Sequence, residues 1–228
     1  EAQANGSDET VEGASFDAKT GSITVPARTV AVFTQAAGDR IDPTVDPEPD
    51  PAAAQWVASG DGRWWLRYPD GSYPANERVV RDGVTYSFDT NGWMKTGWQV
   101  EDGAWRYYAP SGAMARGWTA VGGTWYYLDP DTGVMATGWL KDGDTWYYLN
   151  ASGAMATGWV NLGGAWFYLN GNGSMAIGWA AVGGQWYYLT ESGQMAIGWV
   201  KDGGSWYFCH PSGAMATGRV VIDGTAYT

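Results

Sequence analysis

A tandem repeat occupies most of this 228-residue chain. Its most regular element is a Gly-Trp step, whose tryptophans recur every 20 residues with one interval of 21: Trp98, Trp118, Trp139, Trp159, Trp179 and Trp199. A second tryptophan follows seven residues after each of these: Trp105, Trp125, Trp146, Trp166, Trp186 and Trp206. A single unit of this length cannot bury its own apolar face. The repeat therefore predicts an array in which each unit packs on its neighbours.

Each unit has the sequence pattern of a β-hairpin. Tight turns are predicted at Lys141–Gly143 and Gly163–Gly164, because two-residue hairpin loops need backbone with positive φ. The second strand alternates, so that Trp146 and Tyr148 share one face. We therefore predict an all-β fold, a solenoid of repeated β-hairpins with about 20 residues per repeat and a short N-terminal β segment.

Composition divides the chain into unlike parts. Residues 1–55 hold two of the 35 aromatic side chains and ten acidic against three basic residues. We predict four segments, which are the closing strands of an upstream β-domain over 1–35, an acidic proline-rich linker over 36–55, degenerate repeats over 56–96, and regular repeats with a C-terminal cap over 97–228.

Several classes of function are disfavoured by composition. The net charge of −11 argues against a nucleic-acid partner, which requires clustered Lys and Arg. No apolar run is long enough to span a membrane. The single cysteine, Cys209, occupies the position that Leu128 and Leu149 hold in other repeats, so we expect it in the core rather than paired with His210 in catalysis. We predict no catalytic residues, no metal and no cofactor.

The repeat resembles a known family. A clear copy runs from Gly158 to Ala176, with a Gly-Trp step, a glycine turn, Trp-Phe-Tyr-Leu, and a glycine followed by Met-Ala. This pattern resembles the choline-binding, or cell-wall-binding, repeats of secreted bacterial surface proteins, which are related to glucan-binding and clostridial-toxin repeats. The resemblance covers about residues 56–228. It implies a left-handed β-solenoid with ligand pockets between consecutive hairpins.

The resemblance also implies which residues form each pocket. A choline pocket would use the Gly-Trp tryptophan, the second-strand tryptophan and the second aromatic residue after the tryptophan of the next repeat. The implied sets are Trp98, Trp105 and Tyr127; Trp118, Trp125 and Tyr148; Trp139, Trp146 and Tyr168; Trp159, Trp166 and Tyr188; and Trp179, Trp186 and Phe208. Trp199 and Trp206 would lack a third ring. We expect second-strand tryptophans such as Trp166 to support the hairpin core as well.

Aromatic pockets suit two kinds of ligand. A box of ring faces attracts a quaternary ammonium group by cation–π interaction, and the same rings can stack on sugars. The residues alone do not decide between choline and a glucan.

A second, shorter resemblance lies near the N-terminus. It covers about residues 15–35 and is carried by Val25–Phe33. This segment is similar to the last strands of the C-terminal β-domain of pullulanase-type α-glucan hydrolases. This resemblance implies that the parent protein is a secreted glycoside hydrolase.

We therefore predict a non-catalytic module that attaches a secreted bacterial enzyme to the cell envelope. Its partner would be a choline-decorated cell-wall polymer or a polysaccharide, and its location the cell surface or cell wall. One alternative is an α-glucan-binding module that brings the enzyme to its substrate. A second is an array for self-association or spacing, and a homodimer is left open.

Overall fold

The computed structural model describes residues 15–17, 22–24 and 50–228, and the chain divides into two compact units, 1–48 and 49–228. In the first unit, β1 (Ser15–Asp17) and β2 (Ser22–Thr24) form an antiparallel pair. Two predicted segments lie outside the described residues. They are Val25–Phe33 and the part of the expected linker from residue 36 to residue 49. Within that linker range, Pro51–Ala53 form a 3-10 helix and the next strand begins at Gln55.

The second unit is an array of antiparallel hairpins, each a separate two-stranded sheet. Within residues 50–228 there are nine, numbered here from the N-terminal end: first, β3 (Gln55–Ala58) and β4 (Trp64–Arg67); second, β5 (Arg78–Arg81) and β6 (Val84–Ser87); third, β7 (Gly97–Glu101) and β8 (Ala104–Tyr108); fourth, β9 (Gly117–Val121) and β10 (Thr124–Leu128); fifth, β11 (Gly138–Asp142) and β12 (Thr145–Leu149); sixth, β13 (Gly158–Leu162) and β14 (Ala165–Leu169); seventh, β15 (Gly178–Val182) and β16 (Gln185–Leu189); eighth, β17 (Gly198–Asp202) and β18 (Ser205–Cys209); ninth, β19 (Val220–Ile222) and β20 (Thr225–Tyr227). This confirms the predicted all-β fold of repeated hairpins. No helix among the described residues is long and apolar enough to cross a membrane.

The hairpin turns have the backbone that the sequence predicts. Gly163 and Gly164 join β13 to β14 with φ of +62° and +91°. Positive φ at both positions gives the turn a twist that matches the right-handed twist of the flanking strands. Glycine adopts this conformation without the steric cost that a Cβ atom brings.

A row of buried side chains forms the core. The last residue of each second strand from β8 to β18 is fully buried: Tyr108, Leu128, Leu149, Leu169, Leu189 and Cys209. Cys209 therefore occupies a core position, as predicted from its alignment with the leucines. Burial raises the pKa of the Cys209 thiol, which keeps it in the unreactive protonated form.

Consecutive hairpins are joined by hydrogen bonds from the segment between them. The Met155 amide donates to the Trp125 carbonyl oxygen of the fourth hairpin at 2.8 Å, while the Ala156 amide donates to Tyr148 of the fifth at 2.8 Å. The same pair of bonds recurs along the array, for example from Met175 to Trp146 at 2.7 Å. Each connecting segment therefore fixes one hairpin against the previous one.

Candidate functional site

The two faces of each hairpin have different roles. In the fourth hairpin, Trp118 is paired directly with Tyr127, so both side chains lie on one face, and Trp125 lies on that face because it is two residues before Tyr127. Tyr126 lies on the opposite face and contacts Trp98 of the third hairpin, with ring centroids 4.8 Å apart. A pocket therefore combines one face of a hairpin with the opposite face of the next.

The pocket of the fourth hairpin shows the arrangement. Trp118 has two ring neighbours, Tyr127 of its own hairpin at 5.3 Å and Tyr147 of the next at 4.7 Å. Trp118 and Tyr147 border an open cavity of about 330 Å³, which is lined by Trp118, Trp125, Tyr147, Met155, Gly171 and Asn172. Because Gly171 and Asn172 belong to the turn after the sixth hairpin, three consecutive hairpins contribute to one cavity.

The ring contact between neighbouring hairpins repeats along the array. Its other members are Trp98–Tyr126 at 4.8 Å, Trp139–Phe167 at 4.9 Å, Trp159–Tyr187 at 4.8 Å, Trp179–Tyr207 at 4.8 Å and Trp199–Tyr227 at 4.8 Å. In each pair the Gly-Trp tryptophan meets the first residue after the second-strand tryptophan of the next hairpin, except that Tyr227 of the ninth hairpin follows Ala226.

The predicted third ring differs from the one in the structure. The sequence-based sets used Tyr127, Tyr148, Tyr168, Tyr188 and Phe208, and each of these rings instead contacts the Gly-Trp tryptophan of its own hairpin: Trp118, Trp139, Trp159, Trp179 and Trp199. The physical reason is strand pairing, which puts those two residues on one face. The ring that reaches back to the preceding hairpin must come from the other face.

One further expectation is corrected by the same geometry. Trp199 does have a third ring, because Tyr227 of the ninth hairpin packs on it. The alternation of the strand, combined with the pairing register, indicates that Tyr126 and its equivalents face the preceding hairpin. The alternation alone does not identify these rings.

The second-strand tryptophans are more exposed than expected. Trp166 is 43% exposed, and its equivalents range from 40% for Trp146 to 62% for Trp206. The expectation that they support the hairpin core is therefore wrong. Trp159 and Trp166 have centroids 6.4 Å apart with nearly perpendicular planes, so they form two walls of a corner that is open to solvent.

The first hairpin forms a pocket equivalent to that of the fourth, although the regular spacing of tryptophans does not predict it. Trp56 meets Tyr86 of the second hairpin with ring centroids 4.9 Å apart. A cavity of about 360 Å³ is lined by Trp56, Trp64, Tyr86, Met94, Pro110 and Ser111. The sequence concealed it because Gln55, not glycine, precedes Trp56, and because Trp56 lies outside the regular spacing.

The second hairpin has polar groups at the corresponding positions. The Met114 amide donates to the carbonyl oxygen of Thr85, as the Met155 amide does to that of Trp125. Thr85 therefore occupies the position in the second hairpin that Trp125 occupies in the fourth. By the same register, Arg78, opposite Ser87, replaces the Gly-Trp tryptophan. Arg106 replaces the ring of the next hairpin. It is buried and donates to the carbonyl oxygens of Glu101 and Thr132. These arginines make this position unfavourable for a cation.

A partly buried carboxylate organises this polar junction. Glu101 accepts hydrogen bonds from Ser87, from Lys95 at 2.9 Å and from Tyr108 at 2.7 Å. Burial raises the pKa of Glu101, but these hydrogen bonds outweigh burial and hold the pKa below its ordinary value. Burial, together with the bond to Glu101, raises the pKa of Tyr108 to about 12. The described residues contain no group of three or more His, Cys, Asp or Glu side chains that could hold a metal ion.

Carboxylates also lie beside some of the aromatic pockets. The Trp118 indole N–H donates to Asp142 at 3.0 Å, and the Trp179 indole N–H donates to Asp202 at 3.1 Å. In the fifth hairpin, an acidic residue is part of the lining of a cavity of about 380 Å³, which is bordered by Trp139, Trp146, Phe167, Met175, Glu191 and Ser192. The aromatic corners are thus electron-rich and, in places, adjacent to negative charge.

Family models match most of the array. The model described as Choline-binding repeat matches residues 78–117, 115–157 and 156–198, which together span more than half of the chain. A model for a cell wall binding repeat matches residues 197–215. No curated protein matches the sequence.

Solved structures from Streptococcus pneumoniae are also similar. Choline binding protein F is 40% identical over 71% of this chain and 57% of its own, with a TM-score of 0.64. Its structure in the presence of a peptidoglycan analogue, a tetrasaccharide-pentapeptide, is 36% identical over 72% of this chain and 67% of that one, with a TM-score of 0.64. CbpJ is 30% identical over 96% of this chain and 83% of its own, with a TM-score of 0.67. The chain thus spans little more than half the length of the first of these proteins.

Proposed function

Because this chain belongs to the choline-binding-repeat family, we propose that its hairpin array is a non-catalytic module that binds choline groups in the aromatic pockets between hairpins. The observation that supports this most directly is the fourth-hairpin cavity, where Trp118, Trp125 and Tyr147 surround an open space beside Met155. Choline groups on a cell-wall polymer would then attach the protein to the cell surface or cell wall.

The chemistry of the pockets suits a quaternary ammonium ion. Such an ion carries methyl groups that pack on ring faces, and its charge is attracted by the negative face of each ring with about 0.5–2 kcal/mol per contact. Trp125 is 46% exposed, so its face is available to a ligand without rearrangement of the core. One pocket of this kind binds weakly, on the order of millimolar.

Repetition compensates for weak single sites. Pockets of this type recur from the first hairpin onward, with the second hairpin as a polar interruption. On a polymer that carries many choline groups, each further site binds at the high effective concentration set by the previous one, so the avidity exceeds the affinity of one pocket.

The identity of the whole protein is a separate part of the proposal. The similarity of Val25–Phe33 to the end of a pullulanase-type β-domain supports a parent protein that is a secreted α-glucan hydrolase held at the cell envelope by this array. Hydrolysis of pullulan or glycogen by the full-length parent protein tests this, and the absence of any such activity would contradict it.

Titration of the chain with three ligands tests the ligand class. Choline should quench tryptophan fluorescence and raise the melting temperature, because it binds only the folded state. Its neutral isostere 3,3-dimethylbutan-1-ol should bind much more weakly, and maltotriose should have no effect. The same fluorescence quenching and rise in melting temperature with maltotriose, and neither of them with choline, would instead favour the α-glucan-binding module.

Sedimentation tests the alternative in which the array serves self-association. Under the proposed function, the chain binds choline whether or not it forms a homodimer. Concentration-dependent association, without any response to choline, would favour the self-association or spacer array.

A further inference from the structure

One aromatic pocket has an acidic residue in its lining. In the fifth hairpin, Glu191 borders the same cavity as Trp139 and Trp146. The turn residue in the equivalent place is Gly171 in the fourth-hairpin pocket and Pro110 in the first-hairpin pocket, and neither side chain carries a charge.

We infer that Glu191 is a specificity-determining residue that makes the fifth-hairpin pocket more selective for cationic over neutral ligands than the same pocket without this carboxylate. The inference rests on the proposed function, because the pocket concerned is itself proposed to bind choline. Beyond that function, Glu191 gives the fifth-hairpin pocket a charge that favours a cation over a neutral ligand of the same shape.

The charge of Glu191 is available to a ligand. Glu191 is exposed, and it takes part in none of the ion pairs within residues 50–228. The turn itself is held by neighbouring groups, because the Gly193 amide donates to the Thr190 carbonyl oxygen at 2.8 Å and the side chains of Thr190 and Ser192 share a hydrogen bond of 2.8 Å. Neutralising Glu191 therefore removes a charge without removing a support of the turn.

The third wall of this pocket adds to the discrimination. Phe167 stands where the fourth-hairpin pocket has Tyr147, so its ring face is retained while the hydroxyl group is absent. A sugar loses a hydrogen-bond partner at this wall, whereas a quaternary ammonium ion, which makes no hydrogen bonds through its methyl groups, loses nothing. Both differences favour a cation in the fifth-hairpin pocket.

The expected effect is modest but measurable. Two opposite unit charges about 6 Å apart in a solvent-exposed setting attract each other enough to change a dissociation constant about threefold. The attraction is reduced by added salt, so the effect of Glu191 on choline binding should shrink as ionic strength rises.

Site-resolved binding is needed to test this. We would incorporate 5-fluorotryptophan and record fluorine NMR spectra, with the Trp139 and Trp118 signals assigned from W139F and W118F. Choline and its neutral isostere 3,3-dimethylbutan-1-ol are titrated into the wild-type chain and into Glu191→Gln. In Glu191→Gln, the choline midpoint at Trp139 should rise about threefold, while the midpoints at Trp118 and for the isostere stay unchanged.

Two control variants separate the local charge from net charge. Asp131→Asn removes one negative charge from an exposed turn and should leave the Trp139 midpoint unchanged. Gly171→Glu adds a carboxylate to the fourth-hairpin pocket, where a Cβ atom at Gly171 would meet open space, and should tighten choline binding at Trp118.

The outcomes distinguish this inference from the proposed function. If no tryptophan signal responds to choline, the proposed function fails. If Trp139 responds with the same midpoint in the wild type and in Glu191→Gln, or if Asp131→Asn weakens binding at Trp139 as much as Glu191→Gln does, the role of Glu191 is overturned while the pockets remain choline sites.

Discussion

The phenol ring of Tyr147 lies edge-on against the indole ring of Trp118, with their centroids 4.7 Å apart, although the two residues belong to consecutive hairpins. A binding pocket therefore cannot form within one hairpin. Because both rings also pack on each other, the pocket wall is at the same time an interface of the array. Under the proposed function, ligand binding is therefore coupled to the stacking of hairpins, and a ligand should stabilise the junction that it occupies.

Removing Tyr147 tests this double role. Tyr147→Ala should reduce the number of choline sites by one and destabilise the chain by about 1–3 kcal/mol, because it deletes an interface ring as well as a pocket wall. Calorimetric titration and urea unfolding measure the two effects. Tyr147→Phe is the matched control and should retain the site, since the fifth-hairpin pocket has phenylalanine at this position. A full set of sites in Tyr147→Ala would contradict the role of this ring.

The pocket of the first hairpin gives a second test. Trp64 is 43% exposed, so Trp64→Ala should lower the number of choline sites by one with a small cost in stability. Thr85 of the second hairpin stands at the equivalent position of the polar junction, and Thr85→Ala should leave the number of sites unchanged. Site counts come from titration of the two variants beside the wild type. An unchanged count in Trp64→Ala would show that the degenerate hairpin does not bind.

The sequence predicted the hairpins better than it predicted the pockets. Local signals determine a hairpin, because glycines with positive φ and alternating strands lie within one repeat, as in Gly163–Gly164. A pocket depends on which face of one hairpin meets the next, and this is fixed by strand pairing. The pairing of Trp118 with Tyr127 excludes Tyr127 from the pocket to which it was assigned and makes Tyr126 the ring that reaches back.

The pocket of the first hairpin was missed for a different reason. Trp56 and Trp64 do not follow the regular spacing, so a search by period passes over them. Their role depends on contacts with Tyr86, which only the folded chain brings within 4.9 Å of Trp56.

Close packing of methionine on glycine predicts a large effect of one methyl group. A Cβ atom at Gly153, where φ is +80°, would lie 2.2 Å from the Met135 sulfur. Gly153→Ala therefore combines backbone strain with a clash and should destabilise the chain by about 2–4 kcal/mol. Gly164→Ala is the matched control, because φ is +91° there and nothing lies within 4 Å, so its cost should be about 1 kcal/mol. Urea denaturation compares them, and equal losses would show that the contact with Met135 is unimportant.

The polar junction of the second and third hairpins predicts the effect of pH on stability. The pKa of Glu101 is held below its ordinary value of 4.5 in the folded chain. The ionised carboxylate thus stabilises the fold above that pH, and the stabilisation is lost as the pH falls through the lowered pKa. Glu101→Gln should cost about 1–3 kcal/mol at pH 7 and progressively less in acid. Asp102→Asn, whose carboxylate is 70% exposed beside Arg78, should cost under about 1 kcal/mol.

Tyr108 gives the alkaline counterpart of this effect. Its pKa is raised from 10.0 to about 12, so the folded state keeps the phenol protonated where the unfolded chain would lose the proton. The stabilisation is complete below pH 10 and is lost as the pH rises toward 12. Tyr108→Phe removes the titrating group. The free energy of unfolding of this variant should therefore fall less between pH 9 and 12 than that of the wild type. Denaturant unfolding across this range measures the difference, and parallel losses in the two proteins would show that the raised pKa of Tyr108 does not govern alkaline stability.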